Sequence, residues 1–253
     1  MKVLRDTWLI FGRYTGMTLR NPAWALLGVL QPVLYLLLFA PLLTSLAGVR
    51  GFPRGGAYNV FVPGLLIQLG LFAAAFVGFT LIGELNGGVV ERLRVTPVSR
   101  VALLLGRSLR DVVVLLVESL LLVLLSIPFG LHVYPVGLLL MLGLQALIGL
   151  LMASVSYTLA LTLRSEDALA GLLTTVTVPL LLLSGFLLPL SLAPVWLQDI
   201  ALANPLSYGV DAARAIFNDH PTDISVVKGI AVLGCLSIAA VTAGARAFGR
   251  AIA

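Results

Sequence analysis

Apolar residues occupy most of the chain in long blocks, and short polar segments separate the blocks. A helix needs about 20 mainly apolar residues to cross roughly 30 Å of hydrocarbon. Six blocks meet this length, so the pattern predicts an all-α integral membrane protein with six transmembrane helices in a single transmembrane domain covering residues 1–253. The predicted spans are Pro22–Ala47, Val60–Ile82, Asp111–Phe129, Val136–Leu163, Ala168–Leu188 and Val226–Ala245.

Residues 1–20 follow a different pattern. On a helix their charges lie within an arc of roughly 100°, and most of the remaining surface is apolar. This pattern predicts an N-terminal amphipathic helix in the membrane interface, with its basic side toward the lipid headgroups; the alternative is a helix packed on a protein core. The charged residues are Lys2, Arg5, Asp6, Arg13 and Arg20, and the apolar ones are Trp8, Ile10, Phe11, Tyr14 and Met17.

A polar loop, residues 84–100, follows the second span. Gly87 and Gly88 allow a turn, and Val89–Val95 can form about two helical turns. Thr96-Pro97 ends these turns because proline disfavours helix at the preceding residue, and Ser99 can cap the next helix. The pattern predicts a short helix on one membrane face, with Val89, Val90 and Leu93 as anchors and Glu91, Arg92 and Arg94 open to water or a partner. A solvated loop between spans is the alternative.

A second polar region, residues 191–220, follows the fifth span. Pro194 can open a short helix, which Asn204-Pro205 breaks before a second helix at about Leu206–Phe217. Both are too short and too polar to cross a bilayer, so we expect extracellular re-entrant or interfacial helices. The face predicted for the first helix comprises Trp196, Leu197, Ile200 and Ala201.

Composition and charge agree with a membrane protein. Charged residues make up 11% of the 253 residues, mean hydropathy is +1.09 and the net charge is +5, whereas soluble domains average about 25% charged residues. Positive residues concentrate on the cytoplasmic side of membrane proteins, which predicts a cell-membrane protein with both termini and the 84–100 loop inside. That orientation leaves four of the 16 lysines and arginines outside: Arg50, Arg54, Arg214 and Lys228.

Motifs for several chemistries are missing from the sequence. Neither lysine lies in a phosphate-binding loop, the two histidines lack zincin spacing, and no serine has the flanking glycines of a nucleophile elbow. The scattered arginines and the absence of an aromatic-basic surface argue against nucleic acid, and the single cysteine, Cys235, provides no disulfide framework. We expect no enzyme activity, no metal and no bound cofactor, and no internal repeat supports a secondary transporter.

Glu118 lies inside the third predicted span, about 12 Å deeper than Arg110 along a helix. A buried carboxylate is costly in a membrane. Glu118 has three interpretations: a neutral group hydrogen-bonded to a neighbouring span, a residue of the substrate pathway that meets polar or cationic cargo, or a proton relay. The relay is least favoured because no second buried acid or histidine is evident. Arg107 and Asp111 are spaced to pair along the helix.

Three parts of the sequence carry a further signal. They are RNPAWALLGVLQPVLYLLLF, then YNVFVPGLLIQ with GGVVERLRVTPVSRVALLLGRSLRD, and finally SGFLLPLSLAPVWLQDIALANPLSYGVDAARAIF. Together they resemble the permeases of type-2 ABC exporters, most closely the daunorubicin-resistance type. The resemblance covers nearly the whole chain, and its second and third segments are specific in order and spacing. The 84–100 loop departs from the family in having fewer charges near Glu84.

The resemblance implies two paired permeases, each docking a cytoplasmic ATPase subunit through its N-terminal helix and a coupling helix in the 84–100 loop. ATP and Mg²⁺ would bind to the ATPase, not to this chain. The implied coupling residues are Glu84, Val89, Glu91, Arg92, Arg94, Thr96, Pro97 and Arg100. The implied extracellular re-entrant motif comprises Pro189, Trp196, Asn204, Pro205, Tyr208, Asp211 and Arg214.

Cargo is open at this stage. Aromatic residues amount to 8% and do not cluster in the predicted spans, which favours an amphipathic drug or lipid over a polysaccharide or glycolipid. An ATPase-independent secondary transporter or channel would need more buried ionisable groups than Glu118, and a structural scaffold would need no coupling helix.

Overall fold

The computed structural model describes residues 2–20, 23–46, 57–88, 99–187 and 189–251. Within these ranges the chain is helical and contains no strand, which confirms the predicted all-α class. The α-helices are α1 (Lys2–Arg20), α2 (Ala23–Leu46), α3 (Ala57–Ala75), α4 (Val77–Asn86), α5 (Arg100–Ser126), α6 (Pro135–Leu163), α7 (Glu166–Leu182), α8 (Val195–Ala201), α9 (Pro205–Phe217) and α10 (Ile224–Ala251).

Four stretches of the described chain are long and apolar enough to cross a membrane. They are Tyr58–Asn86, Val101–Phe129, Pro135–Leu163 and Ile224–Gly249. In α2, a shorter apolar segment covers Leu27–Phe39. The helix at the fifth predicted span, α7, ends at Leu182 rather than Leu188, because the chain turns through Gly185 at a φ of 72°. The sequence therefore overestimates the length of that helix.

The third predicted span begins earlier than its apolar block indicates. Helix α5 starts at Arg100 instead of Asp111, and the Ser99 hydroxyl accepts a hydrogen bond from the Ala102 N–H at 3.1 Å. This confirms the predicted cap. The charged first turns of α5 pack against α1, and Arg107 bonds to Glu84 of α4. These are tertiary contacts that the length of the apolar block does not capture.

The second predicted span breaks at Phe76, not at its proline. Helix α3 continues through Pro63 and ends at Ala75. Ser156 of α6 fills the gap in the helical hydrogen bonds: its Oγ accepts from the Gly78 N–H at 2.9 Å and donates to the Ala75 carbonyl. Buried backbone groups need such partners, so one side chain from a neighbouring helix stabilises the junction of α3 and α4.

Helix α1 lies along α5 in close contact. A Cβ atom added to Gly106 would lie 2.6 Å from Ile10 Cγ2 and 2.9 Å from the Thr7 carbonyl oxygen. Trp8, like Leu4, Leu9 and Leu19, remains exposed. One side of α1 therefore packs on the bundle and the other presents apolar side chains, while its location in the membrane interface stays a prediction. The predicted arc of exposed charges is wrong at Asp6, which is buried under this contact.

The core surrounds α3. Within Tyr58–Asn86, 67% of the most apolar stretch is buried, compared with 22% of the corresponding stretch within Ile224–Gly249. Helices α3 and α4 therefore lie at the centre and α10 at the periphery. The long helices alternate in direction. One end of the bundle, here called the α1 end, holds Asn86, Arg100 and Glu166; the opposite α9 end holds Ser126 and Ile224.

Candidate functional site

A cavity of about 880 Å³ lies among α1 to α6 and extends from the α1 end toward the middle of the bundle. Its walls are largely apolar, and its polar lining is concentrated on α5 and α4. The charged residues that line it are Glu84, Arg107, Arg110, Asp111 and Glu118. This volume is within the range of pockets that bind small molecules.

Near the α1 end, three side chains from three helices form the Glu84 cluster. Arg107 Nη2 donates to Glu84 Oε2 at 2.5 Å, and the Tyr14 hydroxyl donates to the same oxygen at 2.9 Å. The Arg107 guanidinium also lies 4.7 Å from the centre of the Tyr14 ring. Burial raises the pKa of Tyr14 to about 12, although Arg107 acts in the opposite direction, so Tyr14 is a neutral donor at physiological pH.

The Asp111 cluster lies next to it. Arg110 Nη1 donates to Asp111 Oδ1 at 2.5 Å, and the Tyr157 hydroxyl donates to Asp111 Oδ2 at 2.5 Å. Arg110 Nε donates to the Thr18 hydroxyl of α1 at 2.7 Å. The cluster therefore joins α1, α5 and α6.

The predicted pairing of Arg107 with Asp111 is wrong. The structure shows two ion pairs in the described chain, Arg107 with Glu84 and Arg110 with Asp111. The spacing along α5 permits the predicted pair. Arg107 instead bonds to Glu84 of α4, and Asp111 bonds to Arg110 and to Tyr157 of α6. Tyr14 and Tyr157 were missed because a tyrosine in an apolar segment gives no sequence signal of its own.

Glu118 lies farther along α5 and is 3% exposed. Its Oε2 has no hydrogen-bond partner among the described residues, so the predicted bond to a neighbouring span is not observed at that oxygen. A Cβ on Gly28 of α2 would lie 2.9 Å from Glu118 Oε1. Glycine at this position is what lets the carboxylate lie against α2.

Two further groups change the interpretation of Glu118. The Gln68 side chain is 2% exposed, lines the same cavity and has an Oε1 atom without a partner in the described chain. Asp111 is a second buried acid on the same cavity, so the argument that Glu118 has no acidic companion is wrong. Glu118 lies on the cavity wall, and its role in a substrate pathway stays a prediction.

Three phenylalanines stack along one wall of the cavity. The ring centres of Phe72 and Phe76 are 6.0 Å apart at an interplanar angle of 6°, and those of Phe76 and Phe79 are 5.7 Å apart at 12°. All three line the cavity. The expectation that aromatic residues do not cluster in the spans is therefore wrong: positions 72, 76 and 79 share one face of a helix, and their rings stay together across the break at Phe76.

The coupling residues divide between described and undescribed segments. Glu84 is at the end of α4 in the Glu84 cluster, where it contacts its own chain, and Arg100 is the first residue of α5. The others lie outside the described residues, and their role stays a prediction; they are Val89, Glu91, Arg92, Arg94, Thr96 and Pro97.

The re-entrant motif forms part of the α9 end. Asn204 caps α9, with its Oδ1 accepting from the Leu206 N–H at 3.0 Å and its Nδ2 donating to the Leu180 carbonyl at 2.6 Å. Pro205 occupies the first turn of α9. Arg214 is buried and donates to the carbonyls of Val60 at 3.1 Å and Gly185 at 2.7 Å. These residues hold α3, α7 and α9 together.

The remaining motif residues differ in exposure. Pro189 is buried, whereas Trp196 and Asp211 are exposed, and the Tyr208 hydroxyl donates to the Leu202 carbonyl at 3.0 Å. On the face predicted for α8, Trp196 and Ile200 are exposed and Ala201 is buried. Asn59, which was not singled out from sequence, donates to the Phe217 carbonyl at 2.9 Å.

Comparison with known proteins identifies the family. The profile of the ABC-2 type transporter family matches residues 5–218. The putative transport permease ycf38 of Pyropia yezoensis is 30% identical over 204 residues, which cover 79% of this chain and 69% of that protein. Its counterpart in Porphyra purpurea is 30% identical over 216 residues, covering 83% and 73%.

A drug-resistance permease shows a similar extent of match. The daunorubicin resistance ABC transporter permease of Streptomyces coeruleorubidus is 26% identical over 193 residues, which cover 75% of this chain and 67% of that protein. These relatives are named as transport permeases and not as enzymes. The family profile and the long apolar helices lead to one conclusion: the chain is a multi-pass membrane protein of the ABC-2 type transporter family.

Proposed function

We propose that this chain is the permease subunit of an ATP-driven exporter, and that it moves an amphipathic, drug-like or lipid-like substrate through the cavity among α1 to α6. A separate cytoplasmic ATPase subunit supplies the energy, and two copies of the permease pair in the membrane. The observation that carries the proposal is the cavity itself, which combines apolar walls with buried charged groups in a protein of this family.

The Glu84 and Asp111 clusters support a mechanical link to the ATPase. Glu84 precedes the proposed coupling loop and bonds to Arg107 and Tyr14 on the cavity wall. Thr18 connects α1 to the second cluster through Arg110. A displacement of either the loop or α1 is therefore passed to α5, which carries the charged side chains of the cavity.

An amphipathic cargo fits the lining better than a long polysaccharide does. The daunorubicin and doxorubicin resistance permeases among the relatives are named for amphipathic drugs. The cavity has one aromatic wall and a concentrated group of charges, whereas a glycan of many sugar units needs hydrogen-bonding groups spread along its length.

The test measures ATPase binding and coupling separately. The permease is co-expressed with a candidate ABC ATPase subunit, and co-purification and substrate-stimulated ATP hydrolysis are measured in membranes. Arg92→Glu is expected to weaken co-purification, because truncating or reversing one member of a buried interfacial charge pair costs about 2–5 kcal/mol. Pro97→Ala is expected to preserve co-purification and reduce coupling, because the helix gains freedom to continue toward α5.

Arg246→Glu serves as the matched control. Arg246 is an exposed arginine of α10 at the α1 end, so the variant makes the same charge change away from the loop. Normal co-purification and coupling with Arg92→Glu, and with a double change at Glu91 and Arg92, would rule out this loop as the docking element.

A further inference from the structure

We infer that Arg214 is the positioning residue that keeps the cavity closed toward the α9 end, by holding residues 183–187 against α3. The inference rests on the proposed function only for its meaning, because an exporter must open this end to release its cargo. The closure itself can be measured without transport and without an ATPase.

A buried layer separates the cavity from the α9 end. On α3 the cavity lining stops at Gln68, and on α5 it stops at Glu118. Beyond these positions, residues 59–67 of α3 are all buried, as are Leu122 and Val123 of α5. Cargo that enters from the α1 end therefore meets about two turns of packed helix before it reaches the α9 end.

Arg214 is an unusual member of this layer, because its charge has no carboxylate partner. It is 8% exposed and forms no ion pair within the described residues. Its Nε donates to the Val60 carbonyl at 3.1 Å, and its Nη2 donates to the carbonyls of Gly185 at 2.7 Å and Phe186 at 3.4 Å. A buried charge without a counter-ion is costly, so these carbonyls are what stabilise the guanidinium in the layer.

Two of the three carbonyls belong to the segment that follows α7. After α7 ends at Leu182, the chain turns through Gly185 at a φ of 72°. Carbonyls at the end of a helix lack intrahelical partners and carry partial negative charge, which the guanidinium offsets. Residues 183–187 are not helical, so their displacement from α3 does not unwind α7.

Gly64 is the position on α3 where this segment lies. A Cβ atom on Gly64 would overlap the Phe186 carbonyl oxygen, so only glycine lets the backbone of the segment lie directly on the helix. The Phe186 side chain belongs to the same buried cluster as Phe61 of α3. Arg214, Gly64 and residues 183–187 are here called the latch, and its charge and its shape can be disrupted separately.

Asn59 provides a matched comparison at the same end. It is buried, donates to the Phe217 carbonyl at 2.9 Å and accepts from the His132 N–H at 3.2 Å. Asn59 therefore joins α3 to α9 and to the connection between α5 and α6, without contact to residues 183–187 through these bonds. A purely structural role of Arg214 predicts that losing either residue loosens this end alike, whereas a latch predicts different effects.

The test measures access to the cavity from the α9 end. The reporter is Ala73→Cys, at a half-buried cavity position, in a Cys235→Ala background. A membrane-impermeant maleimide is applied to intact cells that express the permease alone, and labelling of the parent should be slow because the buried layer blocks the path. Arg214→Gln should raise the rate about tenfold, the population shift expected for losing one charge-assisted hydrogen bond. Asn59→Ala should leave the rate unchanged.

Two more variants keep the inference testable if Arg214→Gln does not fold. Gly64→Ala retains Arg214 but displaces Phe186, so it should also raise the rate. Arg214→Lys should give an intermediate rate, since a single ammonium group does not bridge Val60 and Gly185 as the guanidinium fork does. After permeabilisation all variants should label at similar rates, because the cavity is reached from the α1 end, and this shows that each variant is folded.

Two results would overturn the inference. One is an unchanged labelling rate in Arg214→Gln and Gly64→Ala, and the other is an equal increase in Asn59→Ala, which would make Arg214 one structural contact among others. If the α9 end faces the cytoplasm, inverted membrane vesicles replace intact cells and the comparison is the same. Loss of ATP-dependent export with an intact latch response would count against the proposed function alone, and normal export without a latch response would count against the latch alone.

Discussion

At the scale of single residues, the cavity contains two kinds of buried polar group. Glu84 and Asp111 each bond to an arginine and a tyrosine, and Arg107 bonds to Glu84 although its Nε has no partner among the described residues. Glu118 and Gln68 each leave an oxygen unused. Groups of the first kind stabilise the fold, because buried charges are tolerated when paired. Groups of the second kind cost stability, because an unsatisfied buried acceptor loses its hydrogen bonds to water without replacing them.

Glu84→Gln tests the first kind. Arg107 is 4% exposed and loses its carboxylate partner in this variant, so we expect a loss of about 3 kcal/mol of stability, as for other broken buried pairs. Thermal unfolding in detergent measures the effect. In the double variant Glu84→Gln/Arg107→Gln the loss should be smaller than the sum of the two single losses, since neither partner is then left charged and unpaired. Additive losses would mean that the two side chains do not interact.

Sequence alone identified Glu118 but not Gln68, and the reason is physical. A carboxylate within an apolar block is conspicuous because its burial is costly. A glutamine or a tyrosine in the same setting is common, and only the packing of α3 against α5 shows that Gln68 and Glu118 line one cavity. The sequence also could not predict the partners of Arg107, since these come from α1 and α4.

At the scale of helices, apolar length predicts where a span exists more reliably than where its helix ends. The apolar blocks predicted for α3, α6 and α10 overlap the central parts of these helices. The start of α5 and the end of α7 do not, because tertiary contacts extend the first and the turn at Gly185 shortens the second. Local signals worked where a side chain caps the backbone directly, as Ser99 and Asn204 do.

The junction of α3 and α4 depends on Ser156. Ser156→Ala removes the hydroxyl that serves both Gly78 and Ala75, so we expect a loss of about 2 kcal/mol in stability from unsatisfied backbone groups. Ser154→Ala is the control, because the buried Ser154 hydroxyl has no partner in the described chain and its removal should be neutral or stabilising. Equal effects of the two variants in thermal unfolding would contradict the bridging role of Ser156.

The packing of α1 on α5 depends on Gly106. In Gly106→Ala the new methyl group meets Ile10 and the Thr7 carbonyl, and such overpacking costs about 1–3 kcal/mol. We expect α1 to separate from α5 and to be cleaved faster in limited proteolysis. Gly143→Ala places the same methyl group in open space on α6 and should leave the cleavage rate unchanged. A slow cleavage rate in Gly106→Ala would show that α1 adjusts without detaching.

At the scale of the whole molecule, the alternating helices separate two polar ends. The α1 end holds the ion pairs and the exit to the 84–100 loop, and the α9 end holds the network around Arg214 and Asn204. Hydrophobic blocks predict this alternation because each crossing reverses the chain. They do not predict the cavity, which arises from how helices far apart in sequence pack together.

The orientation of these two ends is a further prediction, and its test also shows whether α7 crosses the membrane. The charge bias places the α1 end in the cytoplasm, so Asp167 at the start of α7 is expected inside and His220, after α9, outside. Both residues are exposed. In a Cys235→Ala background, a membrane-impermeant maleimide should label His220→Cys in intact cells and Asp167→Cys only after permeabilisation. Labelling of both from one face would contradict a crossing by the 17-residue α7, whereas reversed labelling would retain the fold and contradict the orientation.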